Sequence, residues 1–361
     1  MTDVHVLVLA GGAGTRFWPA SRAAMPKQLL PLSGASPMIA ETLRRVRPLL
    51  RSPDHAWVAT GASLAQPTRE IASDVSPLRF LVEPAARNTA PCIAWAAASI
   101  ARIDPDAVVI VLPSDHHVAD EPEFIRVLER AIASARAGHV TTIGIKPTRP
   151  ETGFGYIEVG DQDEHARRGV RFVEKPDRAT AERLVADGKH LWNGGMFVFR
   201  ARDMIDAVRT HLPVVGDALA KFDAAAERGE EARVVAELFP TLPSVSIDVG
   251  VMEKLASFAV VPGDFGWSDV GSWEAAWELA AKDAAGNHGP DGAVFLEASR
   301  NHVVDLRRDG DEKKRAIAIL GIDDLCVIET DDALLVVPRS RAQDVRLAVE
   351  ALRKAGRSDK L

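Results

Sequence analysis

Residues 7–32 read LVLAGGAGTRFWPASRAAMPKQLLPL, and this stretch decides how the amino-terminal part of the chain folds. The apolar run His5–Ala10 predicts a buried β-strand that passes directly into a glycine-rich turn. Glycine has no side chain and tolerates unusual backbone angles, so such a turn can bring successive backbone amides close to a phosphate chain. The stretch therefore predicts a strand followed by a phosphate-binding loop, which we call the glycine loop (residues 10–16).

The glycine loop lacks two familiar phosphate-binding motifs. No Gly-Lys-Ser/Thr follows the glycines, which argues against a P-loop. A dinucleotide fingerprint started at Gly12 would need glycine at position 17, which is Phe17. Instead Arg16 ends the loop and Lys27 follows, and two cations beside such a turn suit a triphosphate whose leaving group gains charge. A tight strand–helix turn with surface cations remains the alternative.

The region up to about residue 200 alternates short β-branched runs with helical patterns. This alternation predicts an α/β fold with a mostly parallel sheet and helices on both faces, similar to a Rossmann fold. After residue 285 short apolar runs broken by Gly, Asp and Asn predict a small β-rich tail that ends in a helix. We therefore expect a catalytic domain at 1–285 and a short-strand domain at 286–361.

Composition limits the class of protein. The 361 residues carry a formal net charge of −7, which argues against a nucleic-acid-binding coat protein, since such proteins are basic. Cys92 and Cys326 form no CxxC pair, and the amino terminus lacks the basic segment of a signal peptide. No apolar run approaches the ~20 residues of a membrane span. We expect a cytoplasmic protein without nucleic-acid or membrane partners.

Two further segments contain candidate site residues. Asp115 lies three residues past the apolar run Ala107–Leu112, at the edge of the predicted sheet where ligands bind, and a carboxylate there suits a Mg²⁺ ligand. The neighbouring His116 and His117 lack a third ligand at zinc-site spacing, so we interpret them as loop residues. In the segment EPAARNTAP (83–91), Asn88 or Thr89 is placed to cap the helix that follows.

The string LAGGAGTRFWPASRAAMPKQLLPL resembles the signature of the sugar-nucleotide pyrophosphorylases, and its WPASR…PKQ portion is similar to the mannose-1-phosphate guanylyltransferases. Phe17 departs from the leucine most often found there, but both residues are large and apolar. The order of the further motifs fits this resemblance from residue 7 to about 273. The resemblance implies that nucleotide contacts come from Ala10, Gly11, Gly12, Gly14, Thr15, Arg16, Glu83, Asn88 and Thr89.

The same resemblance implies a role for several later motifs. It assigns Asp269 of GWSDVGSW as the second metal ligand beside Asp115. Ser268 or Asp269 is also placed to cap a helix before Val270, and the two roles are compatible. It assigns Arg16, Lys27 and Lys175 as the catalytic cations. The residues implied for the sugar phosphate are Arg22, Gly155, Glu174, Lys175, Asn193 and Asp248.

The implied reaction joins GTP and mannose 1-phosphate to give GDP-mannose and pyrophosphate, with Mg²⁺ as cofactor. Two alternatives remain: a pyrophosphorylase for another sugar or base, and a non-catalytic homologue that binds the sugar nucleotide. The resemblance also implies a homodimer, and a left-handed β-helix in the tail. Because the chain has no HxH ligand pair, we expect no appended phosphomannose isomerase activity.

Overall fold

The computed structural model describes residues 3–12, 14–75, 77–307 and 316–361. The chain divides into two compact units. Unit 1 comprises residues 1–11, 42–114 and 118–267, and unit 2 comprises residues 12–41, 115–117 and 268–361. Within the described ranges, no helix combines the length and the apolar character needed to cross a membrane.

Unit 1 is built on a nine-stranded sheet with the strand order β3-β2-β1-β4-β9-β6-β10-β8-β7. Its strands are β1 (Val4–Leu9), β2 (Ala56–Gly61), β3 (Arg79–Glu83), β4 (Val108–Pro113), β6 (Thr141–Ile145), β7 (Tyr156–Gln162), β8 (Arg167–Val173), β9 (His190–Arg200) and β10 (Phe258–Gly263). Two-residue strands at the unit divisions are β5 (His117–Val118) and β11 (Trp267–Ser268).

Parallel pairing of β1 with both β2 and β4 places the carboxyl ends of these strands side by side. β2 and β4 lie on opposite sides of β1, so the order of the strands reverses at β1. Such a reversal is a topological switch point, and α/β sheets bind ligands beyond the carboxyl ends of the strands there. The glycine loop follows β1, and Asp115 follows β4. The sequence prediction of strands ending at these two points is confirmed.

The helices α2 to α9 belong to unit 1, and α1 begins in unit 2 and continues into unit 1. Their bounds are α1 (Met38–Val46), α2 (Ala62–Ile71), α3 (Thr89–Ala101), α4 (Glu121–Arg136), α5 (Arg178–Ala186), α6 (Ala201–His211), α7 (Pro213–Ala226), α8 (Glu231–Leu238) and α9 (Ile247–Gly250). Every residue of α3 from Ala90 to Ile100 is buried, because its small and apolar side chains let neighbouring elements pack on all sides.

The prediction of a mostly parallel sheet is wrong for the second half of the sheet, where only β6 and β10 of the described strands pair parallel. β9 pairs antiparallel with β4, β6 and β7, and β8 pairs antiparallel with β7 and β10. The four residues 163–166 between β7 and β8 suffice for an antiparallel turn, whereas a parallel crossover needs a dozen or more residues. The sequence between residues 145 and 170 has no helical pattern, and this feature indicates an antiparallel connection rather than a parallel crossover.

Unit 2 contains the short-strand tail together with the segment that follows the glycine loop. Its tail elements are α10 (Trp273–Leu279), β12 (Val294–Leu296), β13 (His302–Asp305), β14 (Ala318–Leu320), β15 (Leu325–Glu329), β16 (Leu334–Pro338) and α11 (Val345–Lys354). β12 pairs parallel with β14, and β13 pairs parallel with β15, which in turn pairs antiparallel with β16. These sheets confirm a β-rich tail but do not confirm left-handed β-helical coiling.

A hydrophobic core joins the two ends of the sequence within unit 2. Phe17 and Trp18, directly after the glycine loop, pack in the same buried cluster as Trp273 of α10 and Val345 and Val349 of α11. The ring of Phe17 meets that of Trp273 edge-on at 4.9 Å between centroids. The tail and the phosphate-loop segment therefore share a core.

Candidate active site

Lys27 is the centre of a polar cluster in unit 2. Its ammonium Nζ donates to Oδ2 of Asp115 at 2.9 Å, to the backbone carbonyl of Asp115 at 3.0 Å and to the backbone carbonyl of Asp269 at 2.6 Å. The side chain is only 8% exposed, so all three bonds lie in a poorly solvated environment where charge–charge attraction is strong. Lys27 thereby joins two segments of the chain that the sequence places far apart.

The charge balance of this cluster is visible in the pKa of Asp115. Burial alone would raise the pKa of this carboxyl, but the nearby ammonium of Lys27 and the neighbouring His116 lower it below its ordinary value. Asp115 is therefore a carboxylate at neutral pH, with a third of its side chain accessible. An ionised and accessible carboxylate is the form that can bind a cation.

These residues line one pocket of about 320 Å³ with a mostly polar surface. Thr15 and Arg16 lie on its rim, and Arg16 donates to the carbonyl of Gly271 at 3.5 Å. Lys27, Asp115 and Asp269 also line it. The structure thus brings together four charged residues that the sequence nominated, and two positive and two negative side chains face one space.

Backbone geometry holds this pocket in a narrow range of shapes. Gly14 adopts a φ of 56°, and a Cβ there would meet Cβ of Lys27 at 2.8 Å, so only glycine fits. Val270 has a φ of 46° and is fully buried, which is an outlier for a β-branched residue. Such strain persists only where the surroundings impose it, and it concentrates at functional sites. Val270 directly follows Asp269 and lines the pocket.

The donor set of the pocket suits a hard divalent cation that completes its shell with substrate. Asp115 and Asp269 supply carboxylate oxygens, the ligand type that Mg²⁺ prefers. Among the described residues, no group of three or more His, Cys, Asp or Glu side chains is placed to hold a metal. An ion in this pocket would therefore rely on phosphate oxygens and water for its remaining ligands, which is the usual mode of Mg²⁺.

A second group of predicted residues lies in unit 1, at the end of β3 and the start of α3. Asn88 has a φ of 62° and its Oδ1 accepts from the backbone N–H of Thr89 at 2.9 Å, so it caps α3. The hydroxyl of Thr89 accepts from the backbone N–H of Ile247 at 2.9 Å. Burial raises the pKa of Glu83 to about 7, and the thiol of Cys92, hydrogen-bonded to this carboxyl, partly opposes the shift.

The predicted sugar-binding residues form a third group, also in unit 1. Nδ2 of Asn193 donates to Oδ1 of Asp248 at 2.7 Å, and Oδ1 of Asn193 accepts from the backbone N–H of Gly195 at 3.1 Å. Burial, followed by the charge of Glu174, raises the pKa of Asp248. A Cβ on Gly155 would meet Oε2 of Glu174 at 2.7 Å, so glycine allows this close approach. The group presents carboxylates and an amide in a fixed arrangement.

Lys175 and Arg22 differ in how the structure places them. Lys175 lies beside Glu174, with 3.2 Å between Nζ and Oε1, and its side chain is 64% exposed and accessible to a ligand. Arg22 instead pairs with Asp332 at 2.9 Å and donates to the carbonyls of Pro19 and Lys360. Arg22 does not line the pocket around Lys27, so its geometry gives no support to a sugar-phosphate contact.

One residue near the sugar group was not nominated from the sequence. The hydroxyl of Thr142 donates to the backbone carbonyl of Met196 at 2.9 Å and lies 3.3 Å from Oδ1 of Asn193. Thr142 is fully buried in β6, where its β-branched side chain looks like ordinary strand composition. Only the pairing of β6 with β9 brings it beside Asn193, so no local motif announced it.

Comparison with known proteins identifies the family. The sequence model of the nucleotidyl transferase family matches residues 5–286, and that of the MannoseP isomerase/GMP-like beta-helix domain matches residues 307–352. The tail is thus β-helix-like by sequence. The chain is 40% identical to the xanthan biosynthesis protein XanB of Xanthomonas campestris, over 99% of this chain and 75% of that protein.

Two further relatives bear names that describe an activity. The mannose-1-phosphate guanylyltransferase of Escherichia coli K12 is 37% identical over 99% of this chain and 75% of its own length. A crystal structure described as mannose-1-phosphate geranyltransferase from Thermus thermophilus superimposes with a TM-score of 0.86 at 34% identity, covering 98% of this chain and all of that chain. The chain therefore belongs to the nucleotidyl transferase family and, within it, to the mannose-1-phosphate guanylyltransferases.

Proposed function

We propose that this protein transfers GMP from GTP to α-D-mannose 1-phosphate, producing GDP-mannose and pyrophosphate. The observation that carries the proposal is the ammonium of Lys27, which bridges the carboxylate of Asp115 and the backbone of Asp269 in a pocket that also holds Arg16. A polyphosphate needs cations next to the reacting phosphorus and next to the leaving group, and the two cations Lys27 and Arg16 of this pocket support such roles. The names and similarity of the relatives support guanosine and mannose as the substrates.

The proposed chemistry is one in-line displacement. A phosphate oxygen of mannose 1-phosphate attacks the α-phosphorus of GTP, a new P–O bond forms, and the bond to the β-phosphate oxygen breaks to release pyrophosphate. The nucleophile is already anionic, so no general base is needed and catalysis consists of positioning and charge stabilisation. We assign Arg16 to the departing pyrophosphate, Lys27 to the charge at the α-phosphate and Lys175 to the incoming phosphate.

We further propose that Asp115 and Asp269 hold Mg²⁺ together with phosphate oxygens. When bound, the ion would polarise the phosphates and offset their charge. Lys27 keeps Asp115 ionised, so the protein maintains a ligand for the cation at neutral pH.

The base and the sugar are assigned to the two groups in unit 1. Glu83 can accept from the N1–H and N2–H₂ donors of guanine, and the amide of Asn88 can donate to O6, because its own Oδ1 already serves as a cap. We assign Thr89 and the backbone at Ala10, Gly11, Gly12, Gly14 and Thr15 to the remaining nucleotide contacts. Glu174, Asn193 and Asp248 supply acceptors and a donor for mannose hydroxyls, and Gly155 leaves room for the ring.

The proposal also covers the domain boundary, the coiling of the tail, the cellular location and the oligomeric state. We place the boundary between catalytic and tail domains near residue 285, which agrees with the extents of the two family matches. We propose left-handed coiling of the tail, a cytoplasmic location, and a homodimer formed through the tail. The side chains of Val294, Leu296 and Leu320, on the paired strands β12 and β14, are 45%, 54% and 65% exposed and would gain from burial in such a contact.

Pyrophosphate release tests the reaction directly. Purified protein is assayed with Mg²⁺ and a panel of GTP, ATP, UTP and dTTP, each combined with mannose 1-phosphate or glucose 1-phosphate. We expect the pair of GTP and mannose 1-phosphate to react fastest. Preference for UTP or dTTP would reject the guanylyl assignment. Tight binding of GDP-mannose without turnover on any pair would instead identify a non-catalytic binding homologue.

Light scattering tests the proposed dimer. We expect the wild type to have the mass of a dimer and Leu296→Glu to have the mass of a monomer.

A further inference from the structure

The segment that connects Arg16 to Lys27 is fastened to the carboxyl-terminal residues of unit 2. The indole Nε1 of Trp18 donates to the backbone carbonyl of Lys360 at 2.8 Å, and the guanidinium of Arg22 donates to the same carbonyl. One oxygen thus accepts from two side chains of the WPASR motif. The Lys360 carbonyl lies at least 338 residues from both donors in sequence. These two hydrogen bonds therefore connect the carboxyl-terminal residues to the segment that follows the glycine loop.

A carboxylate reinforces this connection from the other side. Asp332 places Oδ1 at 2.9 Å from Nη2 of Arg22 and Oδ2 at 3.0 Å from Nζ of Lys360. The lowered pKa of Asp332, caused first by its bond with Lys360, keeps it ionised. We call Trp18, Arg22, Asp332 and the backbone of Lys360 the tail anchor.

The tail anchor reaches the pocket through a second set of contacts. The backbone carbonyl of Trp18 accepts from the indole Nε1 of Trp273 at 3.2 Å, and Trp273 begins α10, four residues after Asp269. On the other side Trp18 is two residues from Arg16. Trp18 is 8% exposed and Trp273 is 1% exposed, so neither ring has space to shift independently. The same tryptophan is therefore coupled to a cation of the pocket and to the segment of its second carboxylate.

Arg16 lies at the exposed end of this packed segment. It is exposed, and among its contacts in the described part of the chain is a long hydrogen bond of 3.5 Å to Gly271. A flexible cation must be placed within a fraction of an ångström to stabilise a leaving group. The rigid support for Arg16 lies in the packed residues immediately after it, Phe17 and Trp18.

We propose that the tail anchor positions Arg16 for the transfer reaction, and that Arg22 serves this anchor rather than binding the sugar phosphate. This inference rests on the proposed function for its catalytic readout. Trp18, Arg22 and Asp332 are positioning residues, since they act through the loop that carries Arg16. The WPASR string thus couples the tail to the phosphate pocket.

The test is a double-mutant cycle between the anchor and Arg16. Arg22→Gln, Asp332→Asn and Trp18→Phe are each made in the wild type and in Arg16→Ala. We expect each single variant to lower kcat about tenfold and to leave the KM of mannose 1-phosphate within twofold. In the Arg16→Ala background the same changes should lower kcat less than twofold, because the residue they position is already gone. Equal losses in both backgrounds overturn the proposal.

The pattern among the variants separates the anchor from direct phosphate binding. If Arg22 binds the sugar phosphate, Arg22→Gln raises the KM of mannose 1-phosphate about tenfold. Asp332→Asn, which removes the charged partner of Arg22 but keeps the guanidinium, then has no such effect. That result also overturns the proposal. Arg346→Gln is the matched control, because Arg346 is an exposed arginine of α11 that pairs only loosely with Glu350 at 4.0 Å. It should retain wild-type kinetics. Asp332→Asn is isosteric, so it remains informative if Arg22→Gln does not fold.

A binding measurement tests the tail anchor separately from the proposed reaction. Calorimetry with GTP and Mg²⁺ reports on Arg16 without any turnover. If the wild type binds GTP but does not react with mannose 1-phosphate, the proposed function fails while the anchor is still tested. Trp18→Phe should then weaken GTP binding about fivefold in the wild type and less than twofold in Arg16→Ala. Unchanged GTP affinity in Trp18→Phe, together with an unchanged kcat where turnover exists, rejects the anchor.

Discussion

Nζ of Lys27 lies 2.9 Å from Oδ2 of Asp115, although 88 residues separate them in sequence. The ammonium lowers the pKa of the carboxyl against the opposing effect of burial. The cation that we assign to the reacting phosphate thus also keeps the proposed metal ligand Asp115 in its ionised form. Changes at either residue should therefore affect both charge stabilisation and cation binding.

Lys27→Met preserves much of the side-chain volume but removes the charge. We expect kcat to fall more than 100-fold, consistent with the loss of about 3 kcal/mol of transition-state stabilisation. The carboxyl of Asp115 would lose its cation in a poorly solvated position, so stability at neutral pH should also fall by about 1–3 kcal/mol. Steady-state kinetics and urea unfolding measure the two effects. A loss of activity below threefold would show that Lys27 only supports the fold.

Asp115→Asn tests the metal assignment with little change in shape. Lys27 retains two backbone carbonyl acceptors, at Asp115 and Asp269, so the variant should fold. Turnover should fall more than 100-fold, and the Mg²⁺ concentration for half-maximal activity should rise. Since the pKa of Asp115 is lowered in the fold, its contribution to stability is present at neutral pH and is lost as the pH falls through that lowered value. The variant should lack this acid-side loss. Wild-type turnover would remove Asp115 from the site.

The raised pKa of Glu83 leads us to expect that stability and GTP binding both change with pH near neutrality. Its pKa of about 7 means that the folded state holds a proton that the unfolded chain releases near pH 4.5. Its contribution to stability is therefore fully present below that lower value and declines as the pH rises to about 7. The proposed guanine contact needs the carboxylate form of Glu83, so we expect the Kd of GTP to fall between pH 6 and pH 8. Calorimetry on wild type and Glu83→Gln separates this effect from titration of GTP itself. A parallel pH profile in both proteins contradicts the assignment.

Asn193 should determine sugar affinity rather than nucleotide affinity. Asn193→Ala removes the 2.7 Å hydrogen bond to Asp248, whose pKa is already raised by burial and by Glu174. We expect the KM of mannose 1-phosphate to rise about tenfold and that of GTP to remain within twofold. Thr142→Val, which removes the hydroxyl beside Asn193, should produce a smaller change in the same direction. A rise confined to the KM of GTP would place this group at the nucleotide.

Asn301 is a structural counterpart to these site residues. It is fully buried in the tail, where its Nδ2 donates to Oδ1 of Asn287 at 3.1 Å and to the carbonyl of Ile322 at 2.9 Å. Its Oδ1 accepts from the backbone N–H of Leu325 at 3.0 Å. Asn301→Ala should lower the free energy of unfolding by about 3 kcal/mol, because buried partners are left unsatisfied. Urea unfolding measures this, and Ser299→Ala, with its more exposed hydroxyl, should cost less than about 1 kcal/mol by the same reasoning.

Local patterns were sufficient for part of the site. The strand that ends in glycines, and the strand that ends at Asp115, could be recognised because burial, turn formation and backbone freedom depend on neighbouring residues. The structure then placed Arg16, Lys27, Asp115 and Asp269 around one pocket, as the motifs indicated. Thr142 could not be found in this way, because its relation to Asn193 exists only through the pairing of two strands.

The sequence by itself determined the α/β class of the fold, the strand that ends in the glycine loop and the charged residues predicted for the pocket. Tertiary structure decided the rest. It made most strand pairings in the second half of the sheet antiparallel, and it paired Arg22 with Asp332 and the Lys360 carbonyl. The physical reason is that an arginine in a motif carries the same charge whatever it faces. Which acceptor it meets depends on chain segments more than 300 residues away, and only packing brings these into contact.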